Sequence, residues 1–317
     1  MEDFRVLITE NCNANCPTCF NQDIRCGREM CLEDFKRLCM YLKKDGGVSK
    51  LKIMGGEPTV HPNFTECIDY AQSLFDSVHI FTNAINEKIE TIRLRERDSV
   101  IYNVSCLPIN IKESRLLLGQ YGGRMFETQL SSDSNIETLK QVLLHIREII
   151  PDGQMSIALT LNCIENIFQN KTKLIKMWNE MVDFIQNDLN INHNIDHNIP
   201  YCFFVGSPMK IQIKKSKCSL RCAGLITPSM QLQYCNQSSE ILEDICQDDK
   251  FIPFEILENR LTEFYYKKMS LNLKKMCRDC IFFEKKCNGG CFMHKDTVTR
   301  SSIIRNSDLP FNAYKYN

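Results

Sequence analysis

Short apolar runs alternate with stretches of helical periodicity over about the first 200 residues of the chain. In the helical stretches, apolar side chains recur at positions i, i+3, i+4 and i+7, as they do on one face of an amphipathic helix. The apolar runs between them have the length of buried strands and predict five strands, at residues 4–9, 51–54, 78–82, 101–105 and 156–161. Repeated strand–helix units predict a parallel sheet that is covered by helices.

A sixth strand is predicted at residues 197–204. Six strand–helix units would make an α/β fold, a partial (β/α)6 TIM-like barrel, and barrel active sites lie at the C-terminal ends of the strands. The glycine-bearing stretch at 116–125 is predicted to be a loop that faces the substrate. We therefore predict a barrel domain over residues 1–205.

The pattern changes after residue 205, where the periodicity fades and one clear helix is predicted, opening at Pro253. Metal ligation can stabilise a loop-rich segment that lacks a large hydrophobic core. Residues 206–317 are therefore predicted to form a second, cysteine-rich domain. Its clustered cysteines are Cys218, Cys222, Cys235, Cys246, Cys277, Cys280, Cys287 and Cys291.

The composition excludes several classes of protein. Lysine and arginine (39) balance aspartate and glutamate (39), so charge gives no reason to expect nucleic acid or a membrane surface as a partner. The N-terminal residues lack the features of a secretory signal and no apolar run approaches the length of a membrane span, which predicts a cytoplasmic protein. The chain has 18 cysteines, and in a reducing compartment abundant cysteine favours metal or redox chemistry over disulfides.

Three cysteines follow the first predicted strand with the spacing C-x3-C-x2-C: Cys12, Cys16 and Cys19. A structural zinc site has four protein ligands. Three thiols on one short loop suit a [4Fe–4S] cluster, because cysteine holds the irons of such clusters. The fourth iron would then be open to a substrate or cofactor.

Further motifs lie at the ends of the next strands. Gly55-Gly56-Glu57-Pro58 follows the second strand, and Thr82-Asn83-Ala84 closes the third. Together with the cysteines, these motifs resemble the radical S-adenosylmethionine (radical SAM) superfamily, with Ala84 in place of a glycine. The resemblance implies that S-adenosylmethionine binds the open iron. Its predicted contacts are Gly55, Gly56, Glu57, Pro58, Thr82, Asn83, Ser105 and Asn162, and the Glu57 carboxylate would accept bonds from its ammonium group.

The same resemblance implies the chemistry. A reduced cluster gives one electron to S-adenosylmethionine, whose C–S bond breaks to give methionine and a 5′-deoxyadenosyl radical, and this radical abstracts a hydrogen atom from the substrate. Three cysteines near predicted strand ends, Cys106, Cys163 and Cys202, are candidate hydrogen-atom donors to a substrate radical. The alternative for each is a buried, inert cysteine.

The C-terminal cysteines resemble the SPASM and twitch extensions of peptide-modifying radical SAM enzymes. Cys218, Cys222, Cys235 and Cys291 would hold one auxiliary [4Fe–4S] cluster by this analogy. Cys277, Cys280 and Cys287 would hold a second, with Cys246 or Cys202 as a substitute fourth ligand or with one iron left open. A single twitch-type cluster and a zinc ribbon are the alternatives. Met230 stands where the family commonly has glycine.

The substrate implied by the resemblance is a ribosomally made peptide, which would be crosslinked, epimerised or otherwise oxidised at carbon. An external electron donor such as flavodoxin or ferredoxin would be needed, and a separate protein would be a candidate for binding a leader peptide. A dehydrogenase of a small sugar or nucleoside derivative is the second hypothesis. A non-catalytic metal-binding or electron-transfer protein is the third.

Overall fold

The computed structural model of this chain describes residues 2–16, 19, 26–107, 116, 123–150, 155–161, 169–191, 193–195, 224–236, 238 and 240–272. Its longer strands are β1 (Asp3–Thr9), β2 (Lys50–Gly55), β3 (Ser77–Thr82), β4 (Ser99–Asn103), β5 (Gly123–Leu130) and β6 (Met155–Leu161). The shorter strands are β7 (His193–Ile195), β8 (Leu225–Ile226), β9 (Gln231–Gln233), β10 (Ile241–Asp244), β11 (Cys246–Gln247) and β12 (Lys250–Phe251). The α-helices are α1 (Leu32–Lys44), α2 (Phe64–Leu74), α3 (Ile136–Ile149), α4 (Lys171–Asp183) and α5 (Phe254–Asn272).

Ten of the strands form one sheet in the order β10-β9-β8-β1-β2-β3-β4-β5-β6-β7. Strands β1 to β7 are parallel, and each pairs with the next strand along the chain. This consecutive parallel order is that of a (β/α) barrel, and it confirms the predicted α/β, TIM-like fold. Strand β8 pairs in parallel with the other side of β1, and β9 and β10 continue the sheet antiparallel.

One strand was missing from the sequence prediction, and its position changes the numbering of the barrel. Strand β5 begins at Gly123, inside the stretch 116–125 that was predicted to be a loop, so that prediction is wrong for residues 123–125. The reason is that Arg124 and Thr128 are polar but lie on the buried face of β5, which hides its alternating pattern. The run predicted as the fifth strand is therefore the sixth, and residues 197–204 lie outside the described residues.

The two faces of the sheet carry different clusters of apolar side chains. Paired residues of neighbouring parallel strands point to the same side, and side chains alternate along each strand. Phe4, Val6 and Ile8 of β1 belong to the large core that includes the buried faces of the helices. Leu7 points the opposite way, and with Met54 and Leu225 it forms a second, smaller cluster. The second cluster joins β8 to the inner face of β1 and β2.

The C-terminal segment packs directly on the first strand–helix unit. The ring of Phe254, at the start of α5, lies 6.1 Å from the ring of Phe4 and 5.8 Å from that of Tyr41. The Tyr41 hydroxyl donates to the Ile252 carbonyl at 2.9 Å, and its ring stacks on Phe251 at 4.5 Å. Residues 224–272 thus share a sheet and a core with the barrel strands. The domain boundary predicted at residue 205 lies outside the described residues and stays a prediction.

A buried carboxylate joins the N-terminal ends of β3 and β4. Asp98 has no exposed surface, and it accepts hydrogen bonds from the backbone of Val78, from Gln72 and from Arg95. The Arg95 guanidinium and the backbone donors hold the pKa of Asp98 below its ordinary value, against the effect of burial. This network lies at the end of the strands opposite to the predicted active site. Among the helices described, none is long and apolar enough to cross a membrane.

Candidate active site at the ends of the first three strands

The cysteine loop leaves β1 at the predicted, C-terminal end of the sheet. Cys12, Cys16 and Cys19 are all partly exposed. The Cys12 sulfur accepts a hydrogen bond from the backbone N–H of Ala14 at 3.4 Å, and the N–H of Cys19 donates to the Cys16 carbonyl at 3.1 Å. These contacts already give part of the loop a defined turn. Residues 17–18 and 20–25 lie outside the described part of the chain.

The chain returns from this loop alongside the end of β1. The N–H of Glu10 donates to the Arg28 carbonyl at 2.8 Å, and the N–H of Met30 donates to the Ile8 carbonyl at 2.9 Å. The Glu10 carboxylate accepts from the backbone N–H groups of Cys26 and Arg28, at 3.0 and 3.2 Å. Both ends of the loop are therefore fixed to the sheet.

The Gly55-Gly56-Glu57-Pro58 turn packs against the same loop through its backbone. The N–H of Gly56 donates to the Thr9 carbonyl, and the N–H of Glu57 donates to the Asn11 carbonyl, both at 2.8 Å. A Cβ on Gly56 would lie 2.5 Å from the Asn11 carbonyl oxygen and 2.6 Å from that of Glu10. Real Cβ atoms do not approach backbone oxygens so closely, so glycine is required for this contact.

The Glu57 side chain turns away from solvent and toward β3, with 1% of its surface exposed. Its Oε1 accepts from the backbone N–H of Thr59 (3.2 Å), the Thr59 hydroxyl (2.7 Å) and the Thr82 hydroxyl (2.8 Å). Its Oε2 accepts from the backbone N–H of Asn83 at 2.7 Å. Burial raises the pKa of Glu57 above its ordinary value, although these hydrogen bonds act to lower it. A cation bound beside the carboxylate would favour the ionised form further.

The end of β3 connects this carboxylate to the cysteine loop. Asn83 is 5% exposed, and its Nδ2 donates to the Asn13 side-chain oxygen at 2.7 Å. Ala84 follows in the left-handed conformation, with φ of 58°. The structure thus brings together five of the eight predicted cofactor contacts on one side of the cysteine loop. They are Gly55, Gly56, Glu57, Thr82 and Asn83.

The remaining predicted residues fall into two groups. Pro58 begins a short 3₁₀ helix directly after Glu57, and Ser105 lies in another after β4, with its side chain exposed. Cys235 follows β9 and packs against the main core, and Cys246 lies 3.8 Å from the Arg37 guanidinium. The side chain of Cys106 is not described. The other predicted residues lie outside the described residues: Asn162, Cys163, Cys202, Cys218, Cys222, Cys277, Cys280, Cys287 and Cys291.

Two residues of the site were not identified from the sequence. Thr59 supplies two of the hydrogen bonds to Glu57, and its position two residues after a carboxylate is a recognisable turn signal. His61 is buried, and its Nε2 lies 2.7 Å from the Met30 carbonyl, while its Nδ1 accepts from the N–H of Asn63. His61 therefore donates from Nε2 and ties the returning segment of the loop to the glycine motif.

The donor set fits a [4Fe–4S] cluster by its chemistry, because three partly exposed thiols lie on one loop beside a glycine turn. Within the described ranges, no group of three or more histidine, cysteine, aspartate or glutamate residues is close enough to hold a metal ion. The three sulfurs would therefore have to come together when a cluster binds.

Comparison with known proteins agrees with this geometry. The sequence profile of the Radical SAM superfamily matches residues 6–105. A probable GTP 3′,8-cyclase of Methanothermobacter marburgensis is 31% identical over 103 residues, which are 32% of this chain and 33% of that protein. The antilisterial bacteriocin subtilosin biosynthesis protein AlbA of Bacillus subtilis is 29% identical over 118 residues, 36% of this chain and 26% of AlbA. These matches span a third of the relatives' length or less.

Two solved structures share the fold over nearly the whole chain. Streptococcus suis SuiB, bound to its precursor peptide SuiA, has a TM-score of 0.62 and 16% identity, and the alignment covers 92% of this chain and 72% of SuiB. The anSMEcpe structure with AdoMet and the Cp18Cys peptide has a TM-score of 0.63 and 16% identity, covering 95% and 92% of the two chains. Residues 6–105 of this chain therefore match the Radical SAM superfamily by profile, by the spacing of the three cysteines and by the motifs that meet at the ends of β1 to β3.

Proposed function

We propose that this chain is a radical SAM enzyme that modifies a ribosomally synthesised peptide at a carbon centre. The observation that carries the radical chemistry is the packing of the cysteine loop against the glycine turn, through the backbone of Gly56 and Glu57. A peptide substrate is supported by the shared fold with two peptide-bound enzymes and by the matched region of AlbA. Crosslinking, epimerisation and another oxidation at carbon are the reactions that this proposal covers.

A [4Fe–4S] cluster and S-adenosylmethionine are the cofactors that the match to the superfamily implies. Cys12, Cys16 and Cys19 would hold the cluster. When bound, the two cofactors supply one-electron chemistry that yields a hydrogen-abstracting radical. The predicted contacts with S-adenosylmethionine, including Ser105 and Asn162, and the hydrogen-donor roles of Cys106, Cys163 and Cys202 remain part of the proposal.

The described residues supply positioning and charge at this site. Among the described residues, three donors reach Oε1 of Glu57 and one reaches Oε2, so Oε2 keeps more capacity to accept a hydrogen bond from the ammonium group of a ligand. The carboxylate is buried, so a cation would interact with it more strongly than at an exposed position. The close approach required at Gly56 leaves no space for a side chain or water between the two motifs.

The auxiliary clusters belong to the same proposal. Cys218, Cys222, Cys235 and Cys291 would hold one cluster, and Cys277, Cys280 and Cys287 a second, incompletely ligated one. These clusters would accept the electron released when a product radical is oxidised, or bind the substrate. A reducing partner such as flavodoxin or ferredoxin would supply electrons, and a separate protein could present a leader peptide.

A small-molecule substrate is the second candidate. The 31% identity with a probable GTP cyclase favours it, because that relative's name gives a nucleotide substrate. A sugar or nucleoside dehydrogenase with one auxiliary cluster would satisfy the same first-cluster geometry.

Iron counting tests the proposal before any substrate is known. The protein is reconstituted without oxygen beside a variant carrying Cys12→Ala, Cys16→Ala and Cys19→Ala, and iron and zinc per chain are measured. We expect the variant to lose one cluster's iron, to keep two clusters' worth, and to lose reductive formation of 5′-deoxyadenosine from S-adenosylmethionine. Retention of one cluster favours the small-molecule candidate. Zinc in place of iron in both proteins would contradict the radical chemistry altogether.

A further inference from the structure

Two contacts flank Cys12, the first cysteine of the loop. On one side, the Asn11 carbonyl accepts from the backbone N–H of Glu57 at 2.8 Å. On the other side, Oδ1 of Asn13 accepts from Nδ2 of Asn83 at 2.7 Å. The two donors belong to the turns that follow β2 and β3. The position of Cys12 is therefore set from both sides by the strand ends.

Asn83 is well suited to act as an anchor because its own position is fixed. Its backbone N–H donates to Oε2 of the buried Glu57 carboxylate at 2.7 Å. Its Oδ1 accepts from the backbone N–H of Ile85 at 3.1 Å. A backbone N–H can only donate, so this contact determines which end of the amide is oxygen and directs Nδ2 toward Asn13.

The contact between Asn83 and Asn13 influences the Cys12 sulfur through Ala14, the residue after Asn13. The backbone N–H of Ala14 donates to Sγ of Cys12 at 3.4 Å, and Ala14 directly follows Asn13. Fixing the Asn13 side chain therefore restricts the backbone that directs this N–H. Hydrogen bonds to ligand sulfurs are one of the factors that set the reduction potential of an iron–sulfur cluster.

We propose that Asn83 is a positioning residue for the first cluster, acting through Asn13 on Cys12. The inference rests on the proposed function, since it takes Cys12, Cys16 and Cys19 as cluster ligands. It adds that Asn83 acts before S-adenosylmethionine binds. A residue that only contacted S-adenosylmethionine would leave the cluster of the ligand-free protein unchanged.

Aspartate substitutions test the contact with little change in shape. Asn13→Asp keeps the acceptor for Nδ2 of Asn83, and Asn83→Asp faces an Asn13 amide that can rotate to donate. Each single variant is therefore expected to keep its cluster. The double variant places two carboxylates at this contact, and we expect about a tenfold or greater loss of loop-cluster iron.

The measurement is made on full-length protein without S-adenosylmethionine. Iron is counted against the variant that lacks Cys12, Cys16 and Cys19, and the EPR spectrum and potential of the reduced cluster are recorded. We expect Asn83→Ala to shift the potential to a more negative value, because the N–H···S bond is weakened. Equal iron, spectra and potentials in all these proteins, with only S-adenosylmethionine binding impaired, would overturn the inference and leave the proposed function intact.

A double-mutant cycle with alanine substitutions tests the inference if the double aspartate variant fails to fold. Asn13→Ala and Asn83→Ala remove the same hydrogen bond, so the double alanine variant should lose no more cluster than the worse single one. Additive losses would show that the two side chains act independently and would overturn the inference. If removal of Cys12, Cys16 and Cys19 releases no iron at all, the proposed function itself fails, and this inference with it.

Discussion

At the scale of single residues, Gly56 is where the glycine turn and the cysteine loop come closest. Its N–H donates to Thr9, and the space that a Cβ would need is filled by two backbone oxygens, of Glu10 and Asn11. Backbone cannot rotate away as the end of a flexible side chain can. Even the smallest side chain at this position would therefore separate the motif of β2 from the loop that carries the cysteines.

Gly56→Ala is accordingly expected to lower the free energy of unfolding by about 1–3 kcal/mol, the usual cost of forcing extra volume into a packed site. It is also expected to reduce loop-cluster iron. Gly123→Ala is the matched control, because a Cβ at Gly123 meets the Ser99 side chain at 2.9 Å and not backbone. Urea unfolding and iron analysis measure both variants, and an equal response in the two would contradict the role given to Gly56.

Sequence motifs predicted which residues lie together at the ends of the strands, but they did not predict the contacts between these residues. Ala84 and Met230 were noted as replacements of family glycines, and both adopt left-handed φ values, 58° and 57°, where glycine is ordinarily favoured. The Glu57 carboxylate was assigned to a ligand, yet four protein donors reach it, from residues 59, 82 and 83. Two of these donors are 25 and 26 residues away along the chain, and local pattern carries no information on such pairings.

At the scale of elements, apolar runs predicted strands well where both faces are buried. The runs at β1, β2, β3 and β6 agree with the structure within a few residues. Strand β5 was missed because its pattern alternates and two of its buried positions are polar, Arg124 and Thr128. The strand predicted at 101–105 runs instead from Ser99 to Asn103, so Ser105 lies beyond the strand, in a 3₁₀ turn.

Strand β3 carries a histidine that should make stability depend on pH. Burial, together with the nearby Lys50 and Lys52, lowers the pKa of His79 from its ordinary 6.5 to about 4. Between these values the unfolded chain binds a proton that the folded chain does not, so the stability contributed by neutral His79 is complete above pH 6.5. It is lost as the pH falls toward about 4.

We therefore expect the melting temperature of the cofactor-free protein to fall between pH 7 and pH 5, and to fall less in His79→Gln. Cofactor-free protein is used because acid also releases iron. Asp98, whose pKa is lowered, adds its own loss only at pH values below its ordinary 3.8. An identical pH dependence in wild type and His79→Gln would show that the histidine is not shielded from protonation as the structure indicates.

At the scale of the whole molecule, the described part of the chain between residues 224 and 272 packs on the core of the barrel strands and helices. Strand β8 pairs with β1 in the sheet, and the contact between the Phe254 and Tyr41 rings packs α5 against α1. The fit is close, since a Cβ on Gly46 would clash with the Phe254 ring. The sequence predicted the change of character near residue 205 but not this packing, because it depends on a contact between residues about 250 positions apart.

Phe254→Ala should therefore destabilise the barrel itself. We expect a loss of about 3–5 kcal/mol in the free energy of unfolding, the typical cost of removing a buried phenylalanine side chain. Tyr266→Ala on the same helix is the control, since Tyr266 is 63% exposed and should change stability by about 0.5 kcal/mol or less. Equal, small effects in both variants would mean that α5 does not contribute to the core of the barrel.

The pairing of β8 with β1 also determines when each edge of β1 can be paired during synthesis of the chain. One side of β1 meets β2 within about 50 residues of synthesis, whereas Leu225, its partner on the other side, emerges more than 200 residues later. Until then that edge of β1 presents unpaired backbone groups, and such edges invite pairing with other chains. The cysteine loop at the end of β1 leaves the ribosome about 200 residues before Leu225, so metal could reach its thiols well before the sheet beside it is complete.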